Sequence, residues 1–301
     1  MFSRSIDHPG PIVAIAIIWL SIISCTSAFA ETADHFTQIE KILGAKGEVK
    51  QGTLVVRYPR SDVQVTVNGE HVPTGLGLDS WIAWANIGDN VLVIGNLVLL
   101  DKEVNPVISA LEGARIDITA LHNDFLGEKP GIVSIHFNGI GRAQDLARGV
   151  KNALSKTATP QPTGEGASEL SGSPLDTKRI ENIMGHSGKS SGGAFKIIVG
   201  RSGVRSHGLE MTAGLGMNSW AGFVGTSERA HVSGDIAATA SEVNRVVRTL
   251  RNGGLEVVAV NNHMLDEEPR MFFIRYWGTG PSEELAQTVR AAFDQVERSA
   301  R

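Results

Sequence analysis

Cysteine is almost absent from this sequence. Cys25 is the one thiol among 301 residues, so a disulfide, a thiolate metal site and a cysteine nucleophile in the folded part of the chain are all excluded. Long runs of one charge sign are missing too. Lys and Arg number 28 against 32 Asp and Glu, for a formal net charge of -4. No basic stripe provides the concentrated positive surface that phosphate backbones need, which argues against nucleic acid as a partner. The chain also has no HExxH metal motif. Its two glycine-rich loops, GLGLDSW and GLGMNSW, lack both the GxGxxG spacing and the Lys-Ser/Thr ending of a phosphate loop. Ser80 and Ser219, inside those loops, have no GxSxG elbow around them, so a serine hydrolase built on them is not expected.

What is present is enough apolar residue, 42%, for one large domain or two ordinary ones. The N-terminus reads as a targeting segment. Arg4 precedes the apolar run PIVAIAIIWLSIIS (11–24), followed by small residues at Ala28 and Ala30. The run is short for a membrane span, and the A-x-A pattern predicts removal of residues 1–30 and export to the periplasm or beyond. The alternative is a lipoprotein: IISC (22–25) looks like a lipobox, with Cys25 as the lipid anchor and the only route to a membrane.

Self-comparison shows a duplication. IEKILGAKG (39–47) matches IENIMGHSG (180–188), GLGLDSW (75–81) matches GLGMNSW (214–220), and EVNPVISAL (103–111) matches EVNRVVRTL (242–250). From Gly75 to Gly141 the offset to the second copy stays at 139. The intervening SKTATPQPTGEGASELSGSP (155–174), rich in Ser, Thr, Pro and Gly, reads as a linker. Two homologous units are therefore expected, at 33–154 and 175–301, with a period too long for a solenoid. In the first, FTQIEKILG predicts a helix, and TLVVRYP, SWIAWANI and NVLVIGNLVLL predict strands. Glu103 to Leu111 then reads as helix, IDITALHND with IVSIHFNG as a hairpin, and RAQDLARGVKNAL as an amphipathic closing helix. This order predicts an α+β fold: two units, each a mostly antiparallel sheet with helices on one face, the tail of each ferredoxin-like.

GNLVLLDKEVNPVISAL, then DITALHNDFLGEKP, then IHFNGIG resemble the LppY/LpqO family of bacterial exported lipoproteins, in two copies over nearly the whole mature chain. The resemblance implies an exported, envelope-associated protein and brings no established activity with it. The family pattern has His-Asn-His where this chain has His122, Asn123 and Asp124; the second copy has Asn261, Asn262 and His263.

The hairpin carries the candidate chemistry. If it closes through FLGEKPG (125–131), residues whose numbers sum to about 256 lie opposite each other. His122, Asp124 and His136 then converge on one face, a set suited to zinc or iron with positions open for water or substrate. The plainer reading is a solvated strand end. The second copy offers Asn261, His263, Arg275 and Trp277 at the equivalent places, a poor cation site that suits a carboxylate, phosphate or sugar. Glu103 and Glu128 are candidate bases. Both recur, as Glu242 and Glu267, and polar residues retained in both copies more often cap or brace backbone; Glu103 and Glu242 open predicted helices. Trp81 and Trp220 read as core or interface anchors, and His71 and His207 lie near enough in sequence to reach the same cleft. The expected function is a small ligand or envelope component bound in a cleft between the units. The alternative is a metal-assisted hydrolase using His122, Asp124 and His136.

Overall fold

Alternation decides how the sheets are covered. In NVLVIGNLVLL, Val91, Val93, Leu97 and Leu99 point one way and Leu92, Ile94 and Val98 the other, and a strand that is apolar on both faces must be covered on both. The structure, a computed structural model that describes residues 35–160 and 174–297, shows two different covers. Val91, Val93, Leu97 and Leu99 pack with Val107, Leu111, Leu146 and Val150 of two helices. Leu92 and Ile94 pack with Met211, Met217 and Phe273 of the second copy, and Val98 with Val224 and Trp277. The expected export segment 1–30, with Cys25 and Ala30, and residues 161–173 of the expected linker lie outside the described residues.

In the first copy a helix over 35–43 (α1) precedes β1 (Glu48–Lys50), β2 (Thr53–Pro59), β3 (Val65–Val67), β4 (Glu70–Val72), β5 (Asp79–Ile87) and β6 (Asn90–Leu100). Helix α2 (Asp101–Gly113), β7 (Asp117–Asn123), β8 (Glu128–Lys129), β9 (Ile132–Gly141) and helix α3 (Ala143–Leu154) complete it. The second copy runs α4 (Thr177–Met184), β10 (Gly188–Ser191), β11 (Ala194–Gly200), β12 (Arg205–Ser206), β13 (Leu209–Glu210), β14 (Asn218–Gly225) and β15 (Ala230–Thr239). It ends with α5 (Ala240–Asn252), β16 (Glu256–Asn261), β17 (Met271–Gly280) and α6 (Ser282–Glu297).

Each copy forms a six-stranded antiparallel sheet, ordered β1-β2-β5-β6-β9-β7 and β10-β11-β14-β15-β17-β16. Within the first, β6, α2 and β7 make a split β-α-β unit with β9 between its strands, the arrangement of a ferredoxin-like half. Helices cover one face of each sheet, as expected, and the bare faces pack on each other. The result is four layers: helices, sheet, sheet, helices. The two apolar clusters between the sheets are built from corresponding positions, with Leu76, Leu78, Val98, Phe125 and Ile132 in one and Leu215, Met217, Ala237, Met264 and Met271 in the other. An approximate two-fold axis therefore relates the copies.

The glutamates expected to cap do cap. The Glu103 carboxylate accepts from the Leu100 amide (2.9 Å), from Arg60 (2.8 Å) and from the Ala158 amide just past α3 (3.1 Å). Glu242 repeats the role with the Thr239 amide (2.8 Å) and Arg201 (3.1 Å). Ser80 and Ser219 donate nothing to chemistry either: each hydroxyl accepts a strand amide, of Val98 and of Ala237. No helix among the described residues is long and apolar enough to cross a membrane.

Candidate functional site

The hairpin closes in the expected register. His122 pairs with Ser134 and Ala120 with His136 across β7 and β9, so His122, Ser134 and His136 share the face that meets the second sheet. His122 Nε2 lies 3.0 Å from His136 Nε2, and its Nδ1 hydrogen-bonds the Asn123 carbonyl at 2.9 Å, which leaves Nε2 directed inward. His136 is buried and His122 half-buried.

The third group of the expected metal set is different. Asp124 is buried beside the two rings, but its carboxylate accepts the Ser134 hydroxyl at 2.7 Å and pairs with Arg275 at 3.2 Å. The group that joins the pair is His263, from the other copy. One ligand nitrogen each from His122, His136 and His263 lie within 4.8 Å of one another. His263 follows β16 and is held by hydrogen bonds that cross between the copies: Thr119 Oγ1 donates to its carbonyl (2.6 Å), and Asn262 Nδ2 donates to the Thr119 carbonyl (2.8 Å). Its ring stacks between Phe273 (centroids 3.4 Å) and His136 (3.9 Å). Burial, then the neighbouring rings, push His136 well below the ordinary imidazole range; burial followed by His122 and Arg275 does the same to His263. Both rings are therefore neutral at physiological pH.

The expected anion-binding set is not assembled as such. Asn261 is half-buried, its amide donating to the Asn262 carbonyl. Arg275 is committed to Asp235 (2.8 Å) and Asp124 (3.2 Å). Burial works against its charge, yet the two carboxylates hold it above its usual value. Trp277 is 3% exposed, edge-on to Phe125 and stacked on His231, and offers no open face. Nor do the candidate bases reach the site. Glu128 accepts the Ile132 amide (3.3 Å) and Glu267 the Met271 amide (2.9 Å), each bracing its hairpin turn. Neither Glu103 nor Glu128 lines the cavity described next, and His71 and His207 stay outside it as well.

That cavity, of about 110 Å³, lies between the two sheets. The three imidazoles, Asp124, Asp235 and Arg275 form one part of its wall, and Arg57, Asp79, Trp81, Lys196 and Trp220 another. Lys196 Nζ sits 4.2 Å from the centroid of the Trp220 ring, whose Nε1 donates to Asp235 (3.1 Å). The glycine loops supply close approach across the axis. A Cβ on Gly77 would fall 2.1 Å from Arg275 Nη2, and one on Gly216, at φ +85°, 2.7 Å from the Trp81 ring. So the tryptophans are interface residues, as expected, that also face the cavity.

Sequence reasoning missed Lys196, Asp235, Asn96 and the role of His263. A signal existed for three of them: Lys196 interrupts an apolar strand where the first copy has Val55, and Asp235 and Asn96 are polar at the same mid-strand position of both copies. The two-fold axis also pairs His122 with Asn261, His136 with Arg275, and Asp124 with His263, each 139 residues apart. The two-fold counterpart of the imidazole trio is thus Asn261, Arg275 and Asp124, where an ion pair stands.

Over residues 37–156 and again over 178–295 the chain matches the family model described as Domain of Unknown Function (DUF1259). No curated protein matches it. Among solved structures it is similar to a trimeric bacterial microcompartment shell protein, PduB, at 12% identity and a TM-score of 0.21, covering 84% of this chain and 91% of that one. It is similar also to EtuB from Clostridium kluyveri, at 11% identity and a TM-score of 0.20, covering 84% and 92%. At such TM-scores neither likeness bears on the fold or the site.

Proposed function

We propose that this chain, which belongs to the family Domain of Unknown Function (DUF1259) and carries that domain twice, binds a small ligand in the cavity between its copies, at a divalent metal held by His122, His136 and His263. The convergence of three imidazole nitrogens within 4.8 Å supports this reading. Two nitrogens roughly 2.0–2.1 Å from one zinc ion are about 2.9 Å apart at a right angle and about 3.3 Å apart at the tetrahedral angle. The 3.0 Å between His122 and His136 falls inside that range. The same separation serves as a hydrogen bond when one ring carries the proton, so the spacing suits the site with or without an ion. Neutral rings are the form that ligates, and a three-imidazole set suits zinc or iron with a coordination position left toward the cavity.

Binding is better supported than metal-assisted hydrolysis, because Glu103 and Glu128 are occupied by backbone amides away from the cavity and no longer serve as bases. Export through the N-terminal segment, with cleavage after Ala30 or lipid attachment at Cys25, belongs to the same proposal, as does the LppY/LpqO character of the chain.

Elemental analysis of the purified protein tests the centre. About one zinc or iron per chain is expected in the wild type, retained in Asp124→Asn and lost in His263→Ala. Protein that carries no metal, takes up none when zinc is supplied and melts at an unchanged temperature refutes the metal half of the reading.

A further inference from the structure

The wall of the cavity is balanced in charge before any metal enters. Arg57 pairs with Asp79 at 2.8 Å, Arg275 stands between Asp235 and Asp124, and Lys196 contributes the remaining positive charge. Imidazoles that ligate an ion do so in the uncharged form, so a dication between them adds two positive charges that the wall does not offset. An anion is the natural complement in a site partly withdrawn from water.

Lys196 is the cation placed to receive it. It has no ion-pair partner among the described residues, lies against the Trp220 face and lines the cavity. Burial holds its ammonium down to about 8, so it is charged at neutral pH, though at a cost that a bound anion would relieve. The wall also holds polar atoms of the opposite kind. Asp79 Oδ1, Asn96 Oδ1 and Asp235 Oδ1 are buried acceptors without a hydrogen-bond partner. A bare carboxylate satisfies none of them, but a hydroxyl does. The cavity, of about 110 Å³, has room for a small organic acid.

We infer that the ligand is a small hydroxy carboxylate, its carboxylate meeting Lys196 and the metal and its hydroxyl donating to one of the unpartnered oxygens of the wall. The inference deepens the metal and ligand reading above and rests on it.

The test uses the full chain loaded with Co²⁺ and titrated with lactate, propionate and lactamide. Binding is followed by the cobalt visible spectrum and by tryptophan fluorescence, since Trp81 and Trp220 line the cavity. Lactate is expected to bind at least tenfold more tightly than lactamide, which lacks the charge, and than propionate, which lacks the hydroxyl. Lys196→Met is expected to take up cobalt like the wild type and to lose at least tenfold in lactate affinity. Equal affinity for lactate and lactamide, or a lactate affinity unmoved in Lys196→Met, overturns the carboxylate assignment; equal affinity for lactate and propionate overturns the hydroxyl. If cobalt does not bind, the metal centre fails by itself, and the fluorescence titrations of the metal-free protein decide the rest. A lactate preference that depends on Lys196 then upholds the anion site, and its absence overturns it.

Discussion

Lys196 occupies the strand position that Val55 holds in the first copy, and the exchange of an isopropyl group for an ammonium has a cost that pH reveals. Asp79 and Asp235 favour its charge, Arg57 and Arg275 oppose it, and burial outweighs them all, lowering it from 10.5 to about 8. Below about 8 the lysine is charged in folded and unfolded chains alike, and its burial destabilises the fold. Between about 8 and 10.5 the folded chain has released the proton and the unfolded chain still holds it, so stability rises with pH across that window. Lys196→Met should therefore be more stable than the wild type at pH 7, by at most about 3 kcal/mol, and this advantage should shrink by pH 10 in paired urea denaturation curves. At this scale the sequence was half readable. Strand alternation brought His122 and His136 to one face, as observed. It could not supply His263, because that ring arrives from the other copy through contacts such as Thr119 to His263 that no local pattern encodes.

Strands and helices were the most legible level, since each carries its own period: alternation in SWIAWANI and the amphipathic spacing of RAQDLARGVKNAL fall on β5 and α3. The retained glutamates were legible as caps because a carboxylate at the third helical position reaches back to the free amides. What the caps hid was Arg60, which is fully buried and joins the start of α2 to the end of β2 through Glu103. Removing one partner of a buried pair costs about 3–5 kcal/mol when the other charge is stranded, and Arg60 keeps Asp62 at 2.9 Å, so that figure is the upper bound here. Glu103→Ala is expected to lower stability by up to that amount in chemical denaturation while zinc uptake stays at the wild-type level. A loss of zinc uptake in a folded Glu103→Ala protein would return this glutamate to the list of site residues.

On the scale of the whole molecule, the two sheets cover each other and complete one cavity, so neither copy is sufficient. Leu92, Ile94 and Val98 of the first sheet lie against Met211, Phe273 and Trp277 of the second copy, and a copy alone would leave that apolar face in water. Residues 35–160 expressed without the second copy are expected to self-associate in sedimentation and to bind zinc much more weakly than the full chain. Mixing with residues 174–297 should restore uptake. A soluble, monomeric first copy with full zinc affinity would contradict the composite site. This packing was not visible in the repeat itself: strands apolar on both faces announce a second cover without saying what provides it.

The difference between the imidazole trio and its two-fold counterpart, Asn261, Arg275 and Asp124, gives the cavity a polarity. A lone copy of this domain could finish such a centre only by pairing with a twin, and the pair would present identical ends. Here the related positions hold imidazole donors in one set and a permanently ionised arginine with its acids in the other. A molecule that distinguishes its own head from its tail can settle in such a cavity in a single orientation.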